Sequence, residues 1–291
     1  MILSLLIKLQ VFGYRFRLFL RSQLWKAGFS RRFVLFGPKL DRWICQKLFD
    51  DLPVQAREQI IARDTHPAGN DIPVFLHIPK TGGISVGELF DQNLSVANYY
   101  NTNERPEDGY QSSQFRYGVN NPDLEIIQGH FDIRLLDIID RRYKAFTILR
   151  DPVERAASFF YYLKRYPNEM FPLNPGLEIE NMFDSKGACF FENFQVRFLC
   201  GKPTGKLTPS DLELAKKNLD KCFSFVGTLE TIQQDIVTLG KMFDFSTFNL
   251  RLLNANDSRP EVKELPEATR QLIVDNNLFD IQLYEHVLAH R

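Results

Sequence analysis

From residue 72 onward, short apolar runs alternate with longer stretches that carry apolar positions at helical spacing. The run 72–78 is brief and β-branched, so it reads as a buried strand, with Pro73 at its start, where a missing amide costs little. Similar runs at 124–128, 143–149 and 223–227 predict three more strands. Helical patterning predicts helices over about 84–94, 133–141, 153–164, 190–199, 211–219, 232–243 and most of 267–290. The helix after residue 149 carries the fullest start signal: Asp151 as N-cap, Pro152 at the first helical position, and Glu154 placed as in a capping box. The polar stretch 101–121 has no periodicity and reads as a long loop. Pro167, Pro172, Pro175 and Gly176 mark an irregular, lid-like segment.

Strands alternating with helices imply an α/β fold: a central parallel sheet covered by helices on both faces. Ligands in such sheets bind beyond the carboxyl ends of the strands. Lys80, His130 and Arg150 follow three different strands there, so the topology brings them to one sheet edge.

Lys80 sits in a turn. The sequence Phe75-Leu76-His77-Ile78-Pro79-Lys80-Thr81-Gly82-Gly83-Ile84-Ser85-Val86 runs from strand through a glycine pair into a helix. Helix-start amides, the helix dipole and the lysine charge together describe an anion cradle. A nucleotide-triphosphate P-loop places its lysine after the second glycine, whereas Lys80 precedes both, which disfavours an ATP-dependent kinase. The lysine therefore enters a phosphate site from the strand side. This segment resembles the 5′-phosphosulfate loop of the heparan sulfate 2-O- and 6-O-sulfotransferase family, whose donor is 3′-phosphoadenosine 5′-phosphosulfate (PAPS), and implies a P-loop-like sulfotransferase fold.

Two further segments carry the resemblance. Arg150, followed eight residues on by Ser158, is similar to the family's 3′-phosphate-binding segment. Two helical turns bring Ser158 back to the face nearest Arg150, and a guanidinium fork suits phosphate oxygens. Without the resemblance, the better reading pairs Arg150 with Asp151 or Glu154 and leaves Ser158 as a small packing residue. His130, after the second predicted strand, matches the family's histidine, and the resemblance implies a general base acting on an acceptor hydroxyl. His77 reads as a hydrogen-bonded core residue. By the same resemblance Lys80 steadies the bridging oxygen as the 5′-phosphate leaves, and Thr81, Gly82, Gly83, Ile84 and Ser85 cradle that phosphate. The segments 193–201 and 225–230 also look like family segments, so the likeness covers about 72–240. One departure is Ile84, where the family commonly has a hydroxyl residue; its amide remains available. No metal is expected, because a sulfuryl group carries less negative charge than a phosphoryl group. The expected acceptor is a hydroxyl, on a carbohydrate by resemblance, and no nucleic-acid partner is expected.

Charge divides the chain although the total is zero. Residues 1–50 hold ten Lys/Arg against two Asp, a balance of +8, so the rest carries −8. Two units are expected: a basic, amphipathic helical extension over 1–70 and the catalytic α/β domain over 71–291. Leu5, Leu6, Leu9, Phe12, Phe16 and Phe19 at helical spacing could lie on an anionic membrane or pack against protein. Lys8 interrupts the first apolar run, so no spanning helix is expected, and no basic n-region precedes that run, so no signal peptide is expected either, which suggests a cytoplasmic or membrane-peripheral protein. A non-catalytic, membrane-peripheral nucleotide-binding protein is the alternative reading. The −8 balance disfavours a polyanionic acceptor unless Lys164, Arg165, Arg197, Lys202 and Lys206 form a basic groove. Cys45, Cys189, Cys200 and Cys222 show no metal-ligand spacing and are expected as buried thiols rather than disulfides.

Overall fold

The computed structural model describes residues 71–94, 99–102, 109–111, 113–121, 124–166, 176–185, 187–246 and 260–290. The extension expected over 1–70, Cys45 and most of the lid-like segment lie outside the described residues.

Five strands form one parallel sheet: β1 (Ile72–Leu76), β2 (Tyr99–Thr102), β3 (Ile126–Gly129), β4 (Tyr143–Leu149) and β5 (Phe225–Thr228), in the order β2-β3-β1-β4-β5. β1 lies at the centre with all five residues buried, which explains a continuous apolar run instead of alternation. Successive side chains divide between the faces. Val74, Leu76, Ala145 and Leu149 join one core cluster, whereas Phe75, Phe146 and Ile148 join the other. Phe75 and Phe146 stack across β1 and β4 with ring centroids 4.8 Å apart.

Helices α1 (Gly83–Asn93), α2 (Ser113–Val119), α3 (Pro152–Arg165), α4 (Phe194–Cys200), α5 (Pro209–Cys222), α6 (Ile232–Met242), α7 (Glu267–Asp275) and α8 (Leu278–Ala289) surround this sheet. α4, α5 and α8 cover the first face, and α1 and α6 the second. A third cluster joins Phe159 and Phe160 of α3 to Ile273 of α7.

Two expectations need correction. The stretch 101–121 overlaps the end of edge strand β2 and contains α2; four residues of strand and seven of helix are too short to show a period. The spacing over 133–141 yields a short 3-10 helix, Ile133–Ile138, capped by Asp132. The stretch 267–290 is mostly helical, as expected, and breaks into α7 and α8 at Asn276-Asn277, because Asn277 turns its amide onto the carbonyl of Ile273 while its Oδ1 accepts from the Asn193 amide.

Candidate active site

The β1–α1 turn is built around two glycines for different reasons. Gly82 caps α1 in the left-handed region, φ 89°, which a side chain would strain. Gly83 has no room for a Cβ: one would lie 1.9 Å from Nε2 of His77, so the imidazole fills that space. Lys80 is also left-handed, φ 74°, a strained conformation for a non-glycine residue and one found where a site imposes it. Its ammonium lies 4.4 Å from the centre of the Tyr162 ring. The first turn of α1 has no acidic residue to compete with an anion. The amides of Gly83 and Ile84 occupy that turn, where an α-helix offers no carbonyl of its own.

His77 and His130 meet at this edge, where β1 and β3 run in register as Leu76 opposite Gly129. Their ring centres are 4.4 Å apart. Nδ1 of His130 lies 2.8 Å from the carbonyl oxygen of His77. A carbonyl can only accept, so Nδ1 carries the hydrogen, and in the neutral ring Nε2 is the basic nitrogen. Burial, with the neighbouring His130 and Lys80 adding to it, holds the His77 imidazole well below the usual histidine range. His77 is therefore a neutral wall of the loop.

Arg150 reaches the same place from β4. Its guanidinium donates to the carbonyl of Lys80 (3.2 Å) and to Glu154 Oε2 (3.1 Å). Its main-chain N–H and C=O are both bonded by the side chain of Gln195. Asp151 caps α3 by accepting from the Glu154 amide (2.9 Å), and Pro152 opens the helix. The reciprocal half of the capping box is replaced: Glu154 turns to Arg150, and the Asp151 amide donates to Glu230.

A match to the Sulfotransferase family spans residues 68–286. The chain belongs to that family. Relatives include human (Homo sapiens) heparan-sulfate 6-O-sulfotransferase 1, 26% identical across 80% of this chain and 68% of the relative. Heparan-sulfate 6-O-sulfotransferase 2 of Gallus gallus is 25% identical across 77% of this chain and 67% of its own length. This protein is accordingly a sulfuryl-transfer enzyme.

Within this sulfotransferase, Lys80, Gly82, Gly83, His130 and Arg150 come together at the sheet edge, linked by the contacts above. Thr81 and Ser85 shape the loop from inside: the Thr81 hydroxyl donates to the Ile78 carbonyl (2.8 Å) and the Ser85 amide to the Gly82 carbonyl (3.0 Å). Ile84, 56% exposed, stands at the mouth of the loop. Ser158 is buried on α3. Three of the five residues considered for a basic groove lie beside carboxylates. Arg197 is buried and paired with Glu192, Lys202 pairs with Asp211, and Lys164 lies 3.4 Å from Glu178. Cys200 and Cys222 are free thiols; burial pushes Cys200 up to about 11, whereas Cys222 is exposed instead of buried. Among the described residues no helix is long and apolar enough to cross a membrane, and no group of three or more His, Cys, Asp or Glu could hold a metal.

Sequence reasoning assigned no role to Gln195, Tyr162 or the His77 carbonyl. Gln195 falls in a segment that resembles the family, but a resemblance does not say which atoms it binds. The His77 contact is made by the main chain and leaves no trace in residue type.

Proposed function

We propose that this sulfotransferase moves the sulfuryl group of PAPS to a hydroxyl of a carbohydrate acceptor, with His130 as the base. One observation carries the reading: the bond from His130 Nδ1 to the His77 carbonyl leaves Nε2 as the basic nitrogen beside an anion loop. The residues fit the donor. Lys80 and the amides of Gly83 and Ile84 suit the 5′-phosphate, Thr81, Gly82 and Ser85 hold the loop in shape, and Arg150 with Ser158 takes the 3′-phosphate. When bound, PAPS supplies an electrophilic sulfur and a bisphosphate leaving group. His130 Nε2 takes the proton of the acceptor hydroxyl while the new oxygen–sulfur bond forms and the bond from sulfur to the 5′-phosphate oxygen breaks. Lys80 and the loop amides receive the charge that collects on that oxygen.

Two relatives are named for heparan sulfate. In this chain the −8 balance beyond residue 50 and the pairing of Arg197, Lys202 and Lys164 favour an acceptor less anionic than that polymer.

Sulfate transfer from labelled PAPS to neutral and anionic glycans, without Mg²⁺, tests the reading. His130→Ala should lose about 100-fold or more in rate yet keep its affinity for 3′,5′-adenosine bisphosphate. Lys80→Ala should lose both. Full transfer by His130→Ala, or a preference for ADP once Mg²⁺ is added, would overturn it.

A further inference from the structure

Arg150 stands where the sheet gives out. The β4–β5 pairing ends at Leu149 opposite Thr228, so the next residue has no strand to hold its main chain on that side. Gln195 takes that place. Its Oε1 accepts from the Arg150 amide (3.0 Å) and its Nε2 donates to the Arg150 carbonyl (2.9 Å). One side-chain amide thus binds the main chain of one residue as a neighbouring strand would.

The chemistry admits few substitutes. Two bonds of opposite polarity require a carboxamide: a carboxylate accepts but cannot donate, and an aliphatic side chain does neither. Gln195 is 0% exposed, so water cannot take over the lost bonds from its side. It is itself held at its own main chain, because the amides of Gln195 and Val196 donate to the two carboxylate oxygens of Asp280 (3.0 and 2.8 Å).

From that fixed main chain the Arg150 side chain reaches back to the carbonyl of Lys80. A guanidinium that must present two donors to a phosphate loses its match with a displacement well under the length of the bond. We infer that Gln195 is a positioning residue for recognition of the donor's 3′-phosphate, acting through the Arg150 main chain. The inference rests on the assignment of Arg150 to that phosphate.

The test compares the full chain with Arg150→Ala, Gln195→Met and Gln195→Glu. Calorimetry gives the affinity of each for 3′,5′-adenosine bisphosphate and for adenosine 5′-monophosphate, which lacks the 3′-phosphate; thermal melting reports the fold. Both Gln195 variants should lose about tenfold or more of the preference for the bisphosphate, with the monophosphate affinity unchanged. Gln195→Glu keeps the side-chain volume and one of the two bonds, and carries the test if Gln195→Met fails to fold. Folded Gln195 variants that keep the preference while Arg150→Ala loses it would overturn the role of Gln195 alone. An equal loss for both nucleotides would also overturn it, as the mark of a merely structural residue. An unchanged preference in Arg150→Ala would overturn the Arg150 assignment itself and this inference with it.

Discussion

His77 contributes two separate groups to the edge of the sheet, and neither acts as a conventional catalytic side chain. Its carbonyl sets the tautomer of His130, and its ring closes the space beside Gly83. The ring is held neutral by burial, and this makes a prediction about pH. In the unfolded chain the imidazole takes a proton near the ordinary histidine value of about 6.5, whereas in the folded protein it does so only at lower pH. Between those two pH values the unfolded state binds more protons than the folded one, so stability is complete above about pH 6.5 and falls as the solution is acidified towards the folded-state value. One such group contributes at most about 1.4 kcal/mol per pH unit. Urea melts from about pH 6.5 down to about pH 5 should show this slope, and His77→Gln should flatten it by up to one proton's worth. An unchanged slope in the variant would mean that another group titrates. The sequence singles out His130 because the residue follows a strand, and the structure sets it against the His77 carbonyl. The sequence makes His77 look like core, which is half of the answer; its carbonyl contact lies in the main chain.

At the scale of elements, the strand–turn–helix unit β1–α1 was readable because its parts agree. An apolar run, two glycines and a helical pattern follow within a dozen residues, and β4 with the start of α3 is as well marked. β2 and α2 were not readable, since each is shorter than the window in which a period can be seen. Nor did sequence show which glycine in the turn guards the close approach. The structure gives this to Gly83, so Gly83→Ala must push the His77 ring away or tilt the start of α1. Overpacking of this kind costs about 1–3 kcal/mol. Both movements disturb the anion loop, so affinity for 3′,5′-adenosine bisphosphate should fall about tenfold or more by calorimetry. Wild-type affinity would show that the ring can leave without cost to the cradle. At the other motif, Asp151→Ala removes the bond to the Glu154 amide and should lower stability by about 1 kcal/mol in the same urea melts.

For the whole domain, the far end of the chain is tied to the sheet edge that carries Arg150 by two helices that cap each other. Asn193, left-handed at φ 44°, accepts from the amides of Phe279 and Asp280 at the start of α8. Asp280 in return accepts from the amides of Gln195 and Val196 at the start of α4. The bonds join residues 84 to 87 apart in sequence, so no local signal could announce them. Asp280 is fully buried, and burial raises its carboxyl above the ordinary range, while Arg155 and the two amides oppose that shift. Removing it would strand two buried amides and take from the buried Arg155 the negative charge that favours its cation, so Asp280→Ala should cost about 3 kcal/mol or more. Asn193→Ala should also destabilise, by leaving the α8 amides uncapped. Because each residue holds the helix that presents the other, their effects should not add. The double variant should be less destabilised than the sum of the singles by about 1 kcal/mol or more in urea melts. Strict additivity would show two independent caps, and α8 would then have no part in holding α4, and through it Gln195, against Arg150.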